Sequence, residues 1–291
     1  MSSNIIRILR QDGLTPKKWL GQNLLTDSRY LKQIVQAAEI SSGEQVVEVG
    51  SGLGGLTEEL VIQGAKVWAL EIDSGFYRVL EKKFAGLDQV HLIHADALKY
   101  DFRALVEKLG KLKVVANLPY NISSRLVFRF YENRTFFSSL HILLQKEVAE
   151  RLVASPSTKE YGVLTVLLGA TAIVELLFDI PSSAFFPVPA VVSTLVHIRF
   201  PESAPIAISD SDLFTALVKA SFRGRRKTLR NTLNLFSLPE ISPRLLEIAA
   251  ETAKIDLSRR AETLSPNEFG CLAEQIATEL EVQRQSVLIP E

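Results

Sequence analysis

Residues 46–55 read V-V-E-V-G-S-G-L-G-G, and a helical pattern, L-T-E-E-L-V-I, starts at Leu56. Gly50, Gly52 and Gly55 satisfy G-x-G-x-x-G between a predicted strand over 45–49 and a predicted helix over 56–62. Glycine permits the sharp turn and lets a ligand approach the backbone closely. A second strand, 66–71, ends on Glu71. It lies about 20 residues beyond the first glycine, where a carboxylate can accept both hydroxyls of a ribose. Working outward, the periodicity predicts a helix over 76–84, a strand over 90–93, a helix over 102–109 and a strand over 112–116. Strand and helix in this rhythm make a mostly parallel sheet covered by helices on both faces.

The pattern continues with a helix over 126–131, a strand over 141–144, a helix over 147–152 and late strands over 173–178 and 191–200. Pro201 to Pro205 breaks it, and four helices follow, over 209–222, 226–236, 243–250 and 266–281. Ser265, Pro266 and Glu268 carry the signature of a capped helix start. The expected architecture is therefore α/β: a Rossmann-like sheet domain over 1–201 and a smaller all-helical domain over 202–291.

Three carboxylates and an amide fall at successive strand ends: Glu48 and Glu71, then Asp96 in H-A-D-A-L, then Asn117 in V-V-A-N-L-P-Y-N-I-S over 114–123. Glu71 and the glycine turn suit the ribose of NAD or of S-adenosylmethionine equally. Glu48 separates them, because a carboxylate is unwelcome beside a pyrophosphate and welcome beside an ammonium or sulfonium group. Asp96 can accept from an adenine amino group. After Asn117, Pro119 stiffens the exit from the sheet and Tyr120 offers a flat face. An NAD-dependent oxidoreductase gives no role to N-L-P-Y.

Composition narrows the class further. Thirty-three basic residues balance thirty-three acidic ones, so any attraction to nucleic acid must be local. Arg223, Arg225, Arg226, Lys227 and Arg230 make one basic run, and Lys17 and Lys18 a smaller pair. A single cysteine, Cys271, suits a reducing cytoplasm and excludes a cysteine-rich zinc site. His91 and His94 alternate across a strand, so no metal site is expected. No uninterrupted apolar run is long enough to span a membrane, and no signal-peptide pattern opens the chain.

Six ordered stretches resemble one family: L-G-Q-N-L-L at 20–25, E-V-G-S-G-L-G-G-L-T at 48–57, N-L-P-Y-N-I-S at 117–123, L-Q-K-E-V-A-E-R-L at 144–152, S-A-F-F-P-V-P at 183–189 and F-R-G-R-R-K-T-L-R-N at 222–231. Together they are similar to the small-subunit ribosomal RNA adenine dimethyltransferases, over roughly residues 15–280. The resemblance implies S-adenosylmethionine as cofactor, 16S rRNA of the small ribosomal subunit or its precursor as partner, a cytoplasmic setting and a monomer. It implies N6,N6-dimethylation of two adjacent adenosines in the 3′-terminal hairpin; the 23S rRNA methylases are the more distant alternative. Gln22, Asn23, Leu24, Glu48, Gly50, Gly52, Glu71, Asp96, Ala97 and Asn117 are implied at the cofactor. Asn117, Leu118 and Tyr120 are implied at the target adenine, with Phe185 on its other side; the residues alone leave Phe186 as the alternative stacker. Lys17, Lys18, Arg223, Arg226 and Arg230 are expected to meet RNA phosphates. Leu20 and Leu24 depart from the family, which usually has aromatic residues at both positions.

Overall fold

A computed structural model describes residues 2–224, 226–235 and 241–287. The chain divides into two compact units, Met1–Ala149 with Val174–Phe200, and Glu150–Ile173 with Pro201–Glu291. A break near residue 201 is the sequence expectation; residues 150–173 also cluster with what lies beyond it.

In chain order the first unit begins with α1 (Ser2–Gln11), β1 (Leu24–Leu25) and α2 (Ser28–Ala37). Strands β2 (Gln45–Val49), β3 (Lys66–Glu71), β4 (Val90–His94), β5 (Leu112–Asn117) and β6 (Phe137–Gln145) alternate with α3 (Gly55–Ile62), α4 (Ser74–Lys83), α5 (Arg103–Leu109) and α6 (Ser123–Glu132). After α7 (Lys146–Leu152) and α8 (Val163–Thr171) come β7 (Ile173–Ile180), β8 (Phe185–Phe186) and β9 (Ser193–Arg199). The seven-stranded sheet has the order β4-β3-β2-β5-β6-β9-β7. Its first five strands pair in parallel, and β9 runs antiparallel to β6. This is the Rossmann-like sheet that the strand–helix rhythm predicts.

The strand order fixes where a ligand can sit. The chain passes from β2 outward to β3 and β4, then returns to β5 on the other side of β2. Connections from β2 and β5 therefore leave in opposite directions, and a crevice opens at the carboxyl ends of those two strands. Glu48 and Gly50 stand at one lip and Asn117 at the other. The sheet beneath is rigid: Val46, Val47, Val114, Val115 and Ala116 are fully buried. Phe102, Phe130 and Phe137 pack edge to face beside it, with Phe137 centroids 5.5 and 5.2 Å from the other two.

The second unit is helical. It holds α8 with α9 (Ser211–Ser221), α10 (Leu229–Leu235), α11 (Pro243–Thr252) and α12 (Pro266–Val287). Among the described residues no helix is long and apolar enough to cross a membrane. The predicted helix over 226–236 starts three residues later, at Leu229. Thr228 explains the delay: its hydroxyl accepts from Asn231 N and its carbonyl from Thr232 N. The N–H groups of Leu229 and Arg230 donate to the carbonyls of Arg259 and Leu257, at 2.8 and 3.0 Å, which seats the new helix end against the 256–260 turn. Arg226 thus precedes the helix and does not share its face with Arg230. Arg225 and Phe236 lie outside the described residues.

The expected capping box at α12 is present. Glu268 N donates to Ser265 Oγ at 3.2 Å, and Ser265 N to Glu268 Oε2 at 2.7 Å. Arg259 pairs with the same glutamate. Replacing Ser265 with alanine removes one reciprocal cap, and urea denaturation should show a loss of about 1 kcal/mol. An unchanged midpoint would mean that Arg259 and Glu268 hold the helix start without the serine.

Candidate functional site

The glycine turn is closed by an acid from the neighbouring strand. Glu71, buried at the end of β3, accepts from Gly52 N through Oε2 and from Asp73 N through Oε1, both at 2.8 Å. Burial pushes its pKa up, and these backbone donors oppose the shift. Gly52 holds φ 57°, and a Cβ there would lie 2.7 Å from Leu24 Cδ2. The left-handed φ therefore favours a glycine here, and Leu24 of the N-terminal segment packs directly over it. Glu48 is 1% exposed, and the Thr57 hydroxyl on α3 donates to its Oε2. Burial raises its pKa to about 7, against hydrogen bonds from Thr57 and Ser51 that lower it.

Across the crevice, β5 delivers Asn117. Its Nδ2 donates to the Asn23 carbonyl at 2.8 Å. A carbonyl can only accept, so this bond sets which end of the amide is which. The other end, Oδ1, is buried with no partner among the described residues. Such an acceptor costs free energy unless something donates to it. Gly50 brings the two lips together, since a Cβ there would touch Pro119 Cγ and Cδ at 3.4 Å. Tyr120 is half-buried, and its hydroxyl shares a 2.5 Å hydrogen bond with Ser193 Oγ. Burial raises the tyrosine pKa, so it stays neutral.

A cavity of about 210 Å³ lies between these parts, lined by Asn23, Glu48, Gly52, Glu71, Asn117 and Leu118 among others. It is smaller than the roughly 300–1,000 Å³ of a typical small-molecule site. Ile5 and Ile8 of α1 also line it, which accounts for part of the reduced space.

Comparison with known proteins shows the family of the chain. A family model described as ribosomal RNA adenine dimethylase matches residues 13–277. The chain belongs to the ribosomal RNA adenine dimethylase family. A ribosomal RNA small subunit methyltransferase A from Magnetococcus marinus is 40% identical over 91% of this chain and 94% of its own. One from Ligilactobacillus salivarius is 42% identical over 90% of each. Among solved structures, a dimethyladenosine transferase from Plasmodium falciparum is 26% identical, with a TM-score of 0.73 over 88% of this chain and 98% of its own. The 23S rRNA methyltransferase ErmE, at 24% identity and TM-score 0.63 over 87% of this chain and 99% of its own, shares the fold. Family membership makes the chain an S-adenosylmethionine-dependent rRNA adenine methyltransferase.

Of the residues expected at the cofactor, Gln22, Asn23, Leu24, Glu48, Gly50, Gly52, Glu71 and Asn117 line the one cavity, and Leu118 joins them. Asp96 and Ala97 do not line it. Asp96 Oδ1 accepts from Leu98 N at 2.9 Å, at the end of the strand that neighbours β3. Phe185, expected opposite Tyr120, is 2% exposed and packs in the core with Ile180, Ala184 and Leu195. Pairing of β8 with β1 sets Leu25 opposite Phe185 and Leu24 opposite Phe186. Successive side chains then face opposite ways, so it is Phe186 that packs in the cluster with Leu24, Leu53 and Phe76. Lys17 is already engaged: its Nζ meets Asp73 Oδ2 at 2.8 Å. Lys18, Arg223, Arg226 and Arg230 are exposed, and Arg230 pairs with Glu247.

Asp73 and Ser193 stand outside the motifs that mark the site in the sequence, and Thr57 ends one of them without a role read for it there. Asp73 caps α4 through Gly75 N and Phe76 N, and D-S-G-F is legible as a helix start. Burial works to raise its pKa, but the Lys17 hydrogen bond and the two cap amides outweigh that and hold it below the usual range. Thr57 and Ser193 reach their partners only through the tertiary fold.

The Glu48 shift has a measurable sign. Its folded pKa, about 7, lies above the unfolded value, so the free protein prefers the acid protonated. Stability from this group is complete below about pH 4.5 and is lost as pH rises to about 7. Glu48→Gln imitates the protonated acid. It should match wild type near pH 4 and exceed it by roughly 3 kcal/mol at pH 8 in denaturant titrations of the cofactor-free protein. A difference that does not change with pH would show that folding leaves the Glu48 pKa unshifted.

Proposed function

We propose that this chain transfers methyl groups from S-adenosylmethionine to N6 of two adjacent adenosines in the 3′-terminal hairpin of 16S rRNA, giving N6,N6-dimethyladenosine in the small subunit or its precursor. The observation that carries the reading is the buried Oδ1 of Asn117, which has no partner among the described residues. It is an acceptor waiting for an N–H donor, at the carboxyl edge of the sheet and in the wall of the cavity that holds Glu71. An adenine amino group supplies that donor.

The cavity residues suit the cofactor. In this reading Glu71 takes the ribose hydroxyls, and Glu48 faces the cationic methionine end, flanked by Gln22, Asn23 and Leu24. Asp96 and Ala97 stand toward the adenine. A cation beside Glu48 lowers the pKa of that acid and draws off its proton. Bound there, the cofactor supplies an electrophilic methyl group.

The protein's own part is to make a poor nucleophile react. The N6 lone pair is delocalised into the adenine ring. Asn117 Oδ1 and the Leu118 carbonyl accept the two amine hydrogens. Both bonds strengthen as positive charge builds on N6, which is where a bond lowers the barrier. No strong base is required, because the N6 cation left by the transfer would be acidic enough to give one proton to water. Tyr120, anchored on Ser193, offers a face to the flipped base and fixes its line of approach. Phe185 backs this region from within the core. After one transfer an N–H remains for the second.

The small-subunit target rests on the named relatives and on the basic run at 222–231. A 23S target is the alternative, and the NAD oxidoreductase reading falls with the family match.

Asn117→Ala should keep cofactor affinity near wild type and slow single-turnover methyl transfer about 100- to 1,000-fold, as when one donor is removed from an oxyanion hole. Wild-type turnover in that variant would remove Asn117 from the chemistry. Replacing Arg223, Arg226 and Arg230 together with alanine should weaken binding to unmodified small subunits. It should also lower the log–log salt slope by about 0.7 to 1 for each RNA phosphate that is no longer neutralised, with cofactor affinity unchanged. An unaltered slope in the folded variant would make the run a solvated surface.

A further inference from the structure

Trp19 is 72% exposed. A single exposed aromatic is ordinary on a protein surface, but the backbone beneath this one is tightly held. Trp19 lies in the short helical turn Lys18–Leu20, whose Leu20 N and Gly21 N donate to the Lys17 and Lys18 carbonyls at 3.0 and 2.9 Å. Lys17 N donates to Gln22 Oε1 at 2.7 Å, closing the turn on the far side. The Trp19 carbonyl itself accepts from Asn121 Nδ2 at 2.7 Å. Gly21, at φ 67°, leaves no room for a side chain: a Cβ would stand 2.4 Å from Asn121 Oδ1. The turn is therefore pinned to the residue directly after Tyr120. Its next residues, Leu20 to Leu24, line the cavity. The backbone that carries this exposed indole is thus fixed beside Asn121 and beside residues that line the cavity.

Charge indicates what it meets. Lys17 Nζ lies 6.0 Å from the indole centroid, and Lys18 is exposed beside it. Lys17 is paired with Asp73, so of the two lysines in this turn Lys18 is the one with no carboxylate partner among the described residues. A flat apolar face with a basic neighbour matches single-stranded nucleic acid, where bases stack on aromatic rings and lysines follow the phosphates. Drawing one adenine out of its stack also strips a neighbouring base of a stacking partner.

We propose that Trp19 is a stacking platform for an RNA base flanking the target adenosine, with Lys18 on an adjoining phosphate. The proposal rests on reading the cavity as an RNA adenine methylation site, and it adds a second contact that grips the strand beside the flipped base.

The chain has two tryptophans, Trp19 and Trp68. Trp68 is half-buried and stacked on His91 at 4.1 Å, away from the assigned site residues. Trp68→Phe thus leaves Trp19 as the sole indole emitter in the full chain. Titrating that variant with a short single-stranded oligoadenylate should quench its emission, and an abasic strand of the same length should not. In a Trp68-containing background, Trp19→Ala should weaken oligoadenylate binding about 5- to 100-fold without changing the salt slope, and Trp19→Phe should recover most of the affinity. Lys18→Ala should instead lower the slope by about 0.7. Equal quenching by the abasic strand, or unchanged affinity in Trp19→Ala, would overturn the platform. Wild-type methyl transfer to unmodified small subunits is assayed in parallel. Transfer without base-dependent quenching refutes the platform and leaves the proposed function intact. Quenching without transfer refutes the proposed function and supports the platform as an RNA contact.

Discussion

One hydrogen bond orients the site: Asn117 Nδ2 to the Asn23 carbonyl, 2.8 Å long. It turns the amide so that the buried Oδ1 is left with no donor among the described residues. It also ties the N-terminal segment across the crevice between β2 and β5. Without it the amide could rotate, and the site would lose the fixed acceptor that distinguishes an amine from other planar groups. An acceptor fixed in advance costs no reorganisation when charge develops near it.

The acids beside it work through burial. Glu71 spends its two oxygens on backbone amides, which makes it a brace for the glycine turn as well as a candidate ribose acceptor. Glu48 is held near neutrality by desolvation in the free protein. A cationic ligand reverses that balance, so the same carboxyl is inexpensive to keep empty and attractive once a positive charge arrives. Asp73 joins the N-terminal segment to this network through Lys17 and through a 3.4 Å hydrogen bond from Gln22. Because α1 lines the cavity as well, the N-terminal residues both build the site and restrict its volume.

Much of this is legible in the sequence, for identifiable reasons. Strands β2 and β3 are buried apolar runs ending in a glycine and a glutamate, and they lie at the residues the pattern predicts. Local signals of that kind need no tertiary context. Helix α2 is also encoded locally, by an Asp27 cap and by Leu31, Ile34 and Val35 on one face, although it lies before the strand–helix rhythm that starts at the glycine turn. The two-residue strands β1 and β8 carry no periodicity at all. Their pairing comes from the packed core, and it is this pairing that turns Phe185 inward and Phe186 toward Leu24. The start of α10 likewise depends on carbonyls contributed by the 256–260 turn, distant in sequence. Motifs reveal which residues matter, and pairing decides which way their side chains face.

The most direct test is nucleoside mass mapping of ribosomal RNA from small subunits lacking dimethyladenosine, after incubation with the full chain and isotopically labelled S-adenosylmethionine. The account predicts labelled N6,N6-dimethyladenosine at two adjacent positions in the 3′-terminal hairpin of 16S rRNA. Unlabelled small subunits, with label instead entering 23S rRNA in a parallel reaction, would contradict it.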